Sequence, residues 1–134
     1  MDIKKEKILC QKQWAKNKYL VLSYSSKIYL EIRTYLKQEE VSLEKVDKLI
    51  KQAINLPEDK GQVTNALHHV WGHFKKSATK EEKDNFFELI EDYHINKTTK
   101  EDLIEEVKKL LEKYPNTYLE QSTFINGGKD ETLA

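Results

Sequence analysis

The chain has 134 residues, with 23 lysines and arginines balanced by 23 aspartates and glutamates. That length suits one domain, able to bury roughly two-thirds of the surface its unfolded form exposes. Only four glycines and two prolines are present, which argues against a turn-rich β fold, and the neutral balance is unlike a strongly basic nucleic-acid-binding domain.

No apolar run approaches the ~20 residues that a membrane span needs, and the lysine-rich start lacks the apolar core of a signal peptide. A cytoplasmic protein with no membrane partner is expected. The single cysteine, Cys10, excludes an internal disulfide and any all-cysteine zinc or iron–sulfur site within the chain. It reads as a small, half-buried apolar residue on the first helix.

Residues 3–38 read as helix almost throughout. Ile8, Trp14, Tyr19, Val21 and Leu22 place apolar groups along it without forming one clean stripe. The cluster Ser23-Tyr24-Ser25-Ser26 predicts a break, because serine competes for backbone hydrogen bonds and can cap a new helix. Beyond it, Ile28, Tyr29, Ile32, Tyr35 and Leu36 recur at helical spacing. Ser42 can cap a third helix through Asn55, its buried side formed by Leu43, Val46, Leu49, Ile50, Ala53 and Ile54. Pro57 then starts or immediately precedes a fourth helix. Thr79-Lys80-Glu81-Glu82 matches a capping box, ahead of a helix burying Phe86, Leu89, Ile90 and Tyr93. Thr99 and Asp102 form a second such pair, ahead of Leu103, Ile104, Val107, Leu110 and Leu111. Tyr114-Pro115 ends that helix, since proline disfavours helical backbone in the residue before it. Thr117–Phe124 supplies one or two further turns. The expectation is an all-α fold, a single compact bundle of about six helices with short loops. Residues 1–125 form the domain and 126–134 a flexible C-terminal tail.

The fourth helix carries the most informative segment, Asn65-Ala-Leu-His-His-Val-Trp-Gly-His-Phe-Lys-Lys76. Val63, Leu67, Val70, Trp71 and Phe74 form an apolar stripe at helical spacing. Asn65, His69, Gly72, His73 and Lys76 fall on a second, polar stripe with His68 and Lys75 at its edge. Such a face suits an anionic or hydrogen-bonding ligand. A glycine inside a helix costs about 1 kcal/mol relative to alanine, so Gly72 predicts close approach of another helix or a ligand.

Charge is unevenly spread. Residues 1–37 carry nine lysines and arginines against three acids, and residues 60–76 carry three lysines and no acid. Residues 77–134 carry eight against fourteen. Two basic segments could therefore present one positive face to phosphate. Around Trp14-Ala-Lys-Asn-Lys-Tyr19, the donors Lys16, Asn17 and Lys18 sit between aromatic rings, the pairing by which single-stranded RNA readers hold bases and phosphates.

Chemistry of other kinds finds little support. His69 and His73 lie one turn apart, but Val70 stands where a His-Glu-x-x-His zinc motif needs its glutamate, and no metal or cofactor is expected. No serine sits in a nucleophile elbow, and Cys10 has no neighbouring base, so no catalytic residue is assigned.

Three blocks together resemble a known family: Trp14-x-x-Asn-Lys-Tyr-Leu-x-Leu-Ser23, Asn65-x-x-x-His69-x-x-Gly72-x-Phe-Lys-Lys76 and Tyr114-Pro-Asn-x-Tyr118-Leu-x-x-Gln121. In order and in register over residues 10–125, they resemble the YbgA-type family of small bacterial helical domains. Members occur alone or fused behind a cysteine-ligated iron–sulfur desulfidase that removes sulfur from 4-thiouridine in tRNA. The resemblance implies a non-catalytic domain that binds tRNA or other RNA, possessing none of the cluster cysteines and accessory to a separately encoded desulfidase. Lys18, Tyr19, Asn65, His69, Gly72, Lys75 and Gln121 are its matched polar or special positions. Where the family pattern has glycine followed by an apolar loop, this chain has Asn96-Lys-Thr-Thr-Lys100; Asn96 can still adopt a left-handed cap.

The resulting expectation is RNA binding, with phosphate contacts from Lys16, Lys18, Lys75 and Lys76, ribose or base contacts from Asn65 and His69, and stacking by Tyr19. Two alternatives stand beside it. One is a ligand-binding protein or enzyme with a buried pocket of Asn65, His69 and Gln121, with His73 adjoining. The other is a protein–protein adaptor, marked by a large exposed apolar patch.

Overall fold

The computed structural model describes residues 2–127. All regular elements among them are helical: α1 (Ile3–Tyr24), α2 (Ser26–Tyr35), α3 (Leu43–Ile54), α4 (Lys60–Trp71), α5 (Lys80–His94), α6 (Lys100–Lys113), and the single turns α7 (Thr117–Glu120) and α8 (Thr123–Asn126). The all-α bundle of six long helices is as expected. Of the expected tail, Asn126 closes α8 and Gly127 follows in a left-handed conformation (φ 74°); residues 128–134 lie outside the described residues.

Local chemistry sets most boundaries. Ser25 is extended (φ −159°, ψ 110°), and its hydroxyl accepts the Ile28 amide while its own N–H continues α1 through Val21. The Ser26 amide, freed by the break, donates to Gln62 Oε1 on α4 at 2.8 Å. Ser42 caps α3, and both capping boxes are closed. Asn96 has φ 64°, the left-handed cap that lets this chain dispense with glycine. Lys60 reinforces that end, donating to the Tyr93 carbonyl and to Asn96 Oδ1, each at 2.6 Å. The start of α4 differs from expectation. Asp59, not Pro57, begins it, because its carboxylate accepts the Gln62 amide and satisfies the first turn.

α1 packs against α2, α3, α4 and α8, and it feeds two cores. Tyr19 and Leu22 join Val63, Leu67, Val70, Trp71 and Phe74 over Phe86, Val107, Leu119 and Phe124. Cys10 and Val21 join Ile28, Ile32, Val46 and Ile50. Cys10 is fully buried, and burial first, then the charges of Glu6 and Asp47, pushes its thiol pKa up. Ile54, expected inside, is 38% exposed at the end of α3.

Asn17 corrects the picture of a surface donor cluster. It is 1% exposed, its Nδ2 donates to the Gln13 carbonyl at 2.9 Å, and its Oδ1 accepts from Thr123 Oγ1 at 2.8 Å. This buried bond ties α1 to α8. Replacing Asn17 with Ala leaves the Thr123 hydroxyl only its longer bond to the Lys16 carbonyl, at 3.2 Å, and should lower stability by about 1–3 kcal/mol in urea unfolding. Lys12→Ala, on the exposed side of the same helix, should change it by less than about 0.5 kcal/mol.

Candidate functional site

Regular helix in α4 stops at Trp71 rather than Lys76. The His73 amide bonds to Val70 O and the Phe74 amide to Trp71 O, three residues back instead of four. Such tightening raises the turn per residue and advances His73 around the axis, off the row of Asn65 and His69. Gly72 is accordingly a cap (φ −52°) and not a contact point with another helix: the atom nearest an added Cβ would be its own chain's His69 O at 3.1 Å.

The turn delivers His73 to a cluster built from three distant segments. Its Nε2 lies 2.9 Å from Tyr19 Oη on α1, and its Nδ1 lies 3.4 Å from Asn116 Nδ2. Its ring stacks on Tyr118 with centroids 5.8 Å apart and planes at 15°. Tyr19 meets Tyr118 edge-on at 6.2 Å. Lys18 completes the group, its ammonium 5.4 Å from the Tyr19 ring centre and 5.2 Å from that of Tyr118, a cation–π arrangement.

Electrostatics follow from this packing. Burial, with the Lys18 charge adding to it, holds the His73 pKa below the ordinary imidazole value, so the ring is neutral at pH 7. Burial also pulls on Lys18, but the Tyr118 hydroxyl and the nearby phenol oxygens outweigh it and leave its pKa raised. Burial pushes the Tyr19 phenol up, against the opposing pull of Lys18. The cluster thus holds one firm positive charge, a neutral imidazole and the neutral Tyr19 phenol.

Asn116 and Tyr118 are held by a brace at the end of α6. Glu82, the capping-box residue of α5, accepts from Tyr114 Oη at 2.6 Å and from Lys113 Nζ at 3.1 Å. This fixes the chain immediately ahead of Pro115. Asn116 then caps α7 through the Leu119 amide, and Glu120 accepts the Asn116 amide in return.

The remaining expected site residues divide. Lys75 and Lys76 follow His73 on the surface, and Asn65 and His69 are exposed on α4. Lys16 is partly buried, its carbonyl 3.2 Å from Thr123 Oγ1. Gln121 is exposed at the end of α7. Because Asn65, His69 and Gln121 are all exposed, the buried pocket expected of them is not formed. Tyr19 is 7% exposed, so its ring belongs to the core and leaves no face for a stacked base. Both nitrogens of His73 are engaged by protein groups, so the ring has no lone pair to share with His69 for a metal. Among the described residues, no group of three His, Cys, Asp or Glu side chains is gathered to hold one, and no helix is long and apolar enough to cross a membrane. A groove of about 520 Å³ between α1, α6 and α8, floored by Leu20, Ile104 and Phe124, shares no lining residue with the cluster.

Asn116 and Tyr118 are visible in the sequence only as part of the third block. The signal for them is the Pro-Asn pair, a helix start whose cap amide retains one free end.

Residues 18–127 match the family described as Protein of unknown function (DUF1722). The chain belongs to that family. Comparison with curated proteins and with solved structures found no match. The matched span begins at Lys18 and takes in every residue of the cluster, while Trp14 and Lys16 precede it.

The Glu82 brace gives a pH signature. Hydrogen bonds from Tyr114, then from the Thr79 amide, with help from Lys113, lower the Glu82 pKa from 4.5 to about 2. A carboxylate lowered on folding stabilises the native state above its ordinary value, and that contribution is lost as pH falls from 4.5 towards 2. Unfolding midpoints of the wild type and Glu82→Gln should therefore differ above pH 4.5 and converge as pH approaches 2. Parallel curves across that range would remove Glu82 from the brace.

Proposed function

We propose that this DUF1722 domain binds RNA, with tRNA the expected class, and performs no reaction of its own. The observation that carries the reading is Lys18 set between the Tyr19 and Tyr118 rings, next to a surface imidazole whose chain runs directly into Lys75-Lys76. α1 packs on α4, and the reading takes the basic segments that these helices carry as one positive face. Lys16, Lys18, Lys75 and Lys76 supply phosphate contacts, which position a polyanion without reading its sequence. Asn65 and His69, exposed on α4, are available to ribose or base. The stacking role moves from Tyr19 to His73. Its edge is spent on Tyr19 and Asn116 and one face lies on Tyr118, which leaves its outer face for a base.

The finer identity rests on the three sequence blocks, which resemble the YbgA-type domains fused to tRNA 4-thiouridine desulfidases. On that reading the partner is a separately encoded iron–sulfur desulfidase or another thiouridine-modifying enzyme in the cytoplasm, and this domain holds the tRNA for it.

Titration of bulk tRNA should give micromolar or tighter binding that weakens as log salt rises. In Lys18→Ala/Lys75→Ala/Lys76→Ala, the slope of log K against log salt should fall by about 2 to 2.7, at roughly 0.7–0.9 for each phosphate that the protein no longer neutralises. Absence of binding by the wild type at low salt would end the reading.

A further inference from the structure

The hydrogen-bond chain through His73 has a fixed direction, and the direction starts at a backbone amide. Leu119 N–H can only donate, so the Asn116 side-chain atom that meets it at 3.0 Å is the carbonyl oxygen. The other end of the same amide, Nδ2, can only donate, and it faces His73 Nδ1. Nδ1 therefore accepts and carries no proton. A neutral ring then holds its proton on Nε2 and donates it to Tyr19 Oη, 2.9 Å away. Tyr19 becomes an acceptor within the protein, and its own O–H proton has no acceptor assigned among the described residues.

The Tyr19 ring is interior, but its hydroxyl meets His73, which is exposed. Lys18 is next in the chain, and its ammonium sits over the same ring. A cation and a hydroxyl donor beside one surface ring make a two-point site for an anionic oxygen, with the outer face of His73 left for a flat group. We propose that Asn116 is a positioning residue that fixes His73 as the Nε2–H tautomer, so that Tyr19 turns its hydroxyl proton outward to a phosphate oxygen held by Lys18. This deepens the RNA reading of the same site and rests on it for the ligand class. The shared chemistry is a phosphate ester next to a nucleobase, as an internal diester of RNA or the terminal phosphate of a nucleotide.

Two experiments decide it. First, long-range proton–nitrogen NMR spectra distinguish the two neutral tautomers of His73 and the imidazolium. At pH 7 the wild type should show the neutral Nε2–H form; the Nδ1–H form or a charged ring would overturn the proposal. Asn116→Asp keeps a side-chain acceptor for Leu119 N–H but faces Nδ1 with a second acceptor. It should place a proton on Nδ1, and an unchanged spectrum would show that Asn116 does not set the tautomer.

Second, uridine, uridine 5′-monophosphate and the dinucleotide UpU are titrated against the wild type and Tyr19→Phe. Either phosphate-bearing ligand should bind more tightly than uridine, and Tyr19→Phe should weaken it by about tenfold, the scale of one hydrogen bond to a charged group. Tighter UpU assigns the RNA diester, and tighter monophosphate assigns a nucleotide end. Equal binding of all three, or no effect of Tyr19→Phe in a variant whose unfolding midpoint is unchanged, would sink the phosphate assignment. Should the monophosphate bind as described while tRNA does not, the RNA reading fails and this site stands. If tRNA binds with salt sensitivity and Tyr19→Phe leaves that binding intact, the RNA reading stands and this site fails.

Discussion

Packing around α1 is the constraint on which the rest of the structure depends. Most surface helices bury one stripe and expose the other side. α1 instead sends Cys10 and Val21 into one core and Tyr19 and Leu22 into another. Its middle is closed by Asn17, a buried side chain whose hydrogen bond reaches 106 residues along the chain to Thr123. Because both cores share this helix, α4, α3 and α8 take their positions from it. The site inherits the same dependence, since Lys18 and Tyr19 lie between Asn17 and Leu22 on the turn where the two cores meet.

The site follows a division of labour between edge and face. An imidazole in water offers two in-plane nitrogens and two faces. Here the plane is consumed by Tyr19 and Asn116 and one face by Tyr118. What is left is an apolar, neutral surface beside the fixed charge of Lys18. A neutral imidazole next to a lysine is self-consistent, because charging the ring would set two cations together while facing Nδ1–H at an amide N–H. The same geometry argues against metal binding or proton transfer by His73, whose nitrogens are already spent.

Local signals in the sequence are sufficient for local outcomes. Ser25, Ser42, Thr79 and Thr99 cap helices because a hydroxyl acceptor is the only partner a first-turn amide needs, and both partners lie within a few residues. Asn96 takes positive φ for the same kind of reason, its conformational tolerance being a property of one residue. Apart from the start of α4, where Asp59 caps three residues ahead, the failures involve partners far away in sequence. α1 lacks a clean stripe because it is buried on more than one side, which periodicity reads as weak amphipathicity. Asn17 reads as a surface donor since nothing near it announces Thr123. The helix from Asn65 ends five residues early because Phe74 and His73 satisfy the core and Tyr19 better in a tightened turn. Tyr19 reads as a stacking ring beside two lysines, whereas its ring is buried in the core and its hydroxyl meets His73, 54 residues along the chain.

A net charge of zero places a physical condition on any polyanion partner. Screening over about 8 Å at physiological ionic strength removes the influence of charges on the far side of the fold. The acid-rich segment from residue 77 onward reaches the site itself at Glu120, whose carboxylate accepts the Asn116 amide. α5 and α6 spend much of that acid locally: Glu82 on Tyr114 and Lys113, Asp102 on its own cap, Glu106 on Asn85, and Glu105 on Lys108. Glu82 and Glu105 are paired with Lys113 and Lys108, whereas Asp102 and Glu106 keep their charge against neutral partners. The balance leaves a small domain with little long-range attraction and a few strong contacts at one place. Such a surface would hold RNA through local geometry, and its specificity would come from the fixed donors and the exposed imidazole face instead of from bulk charge.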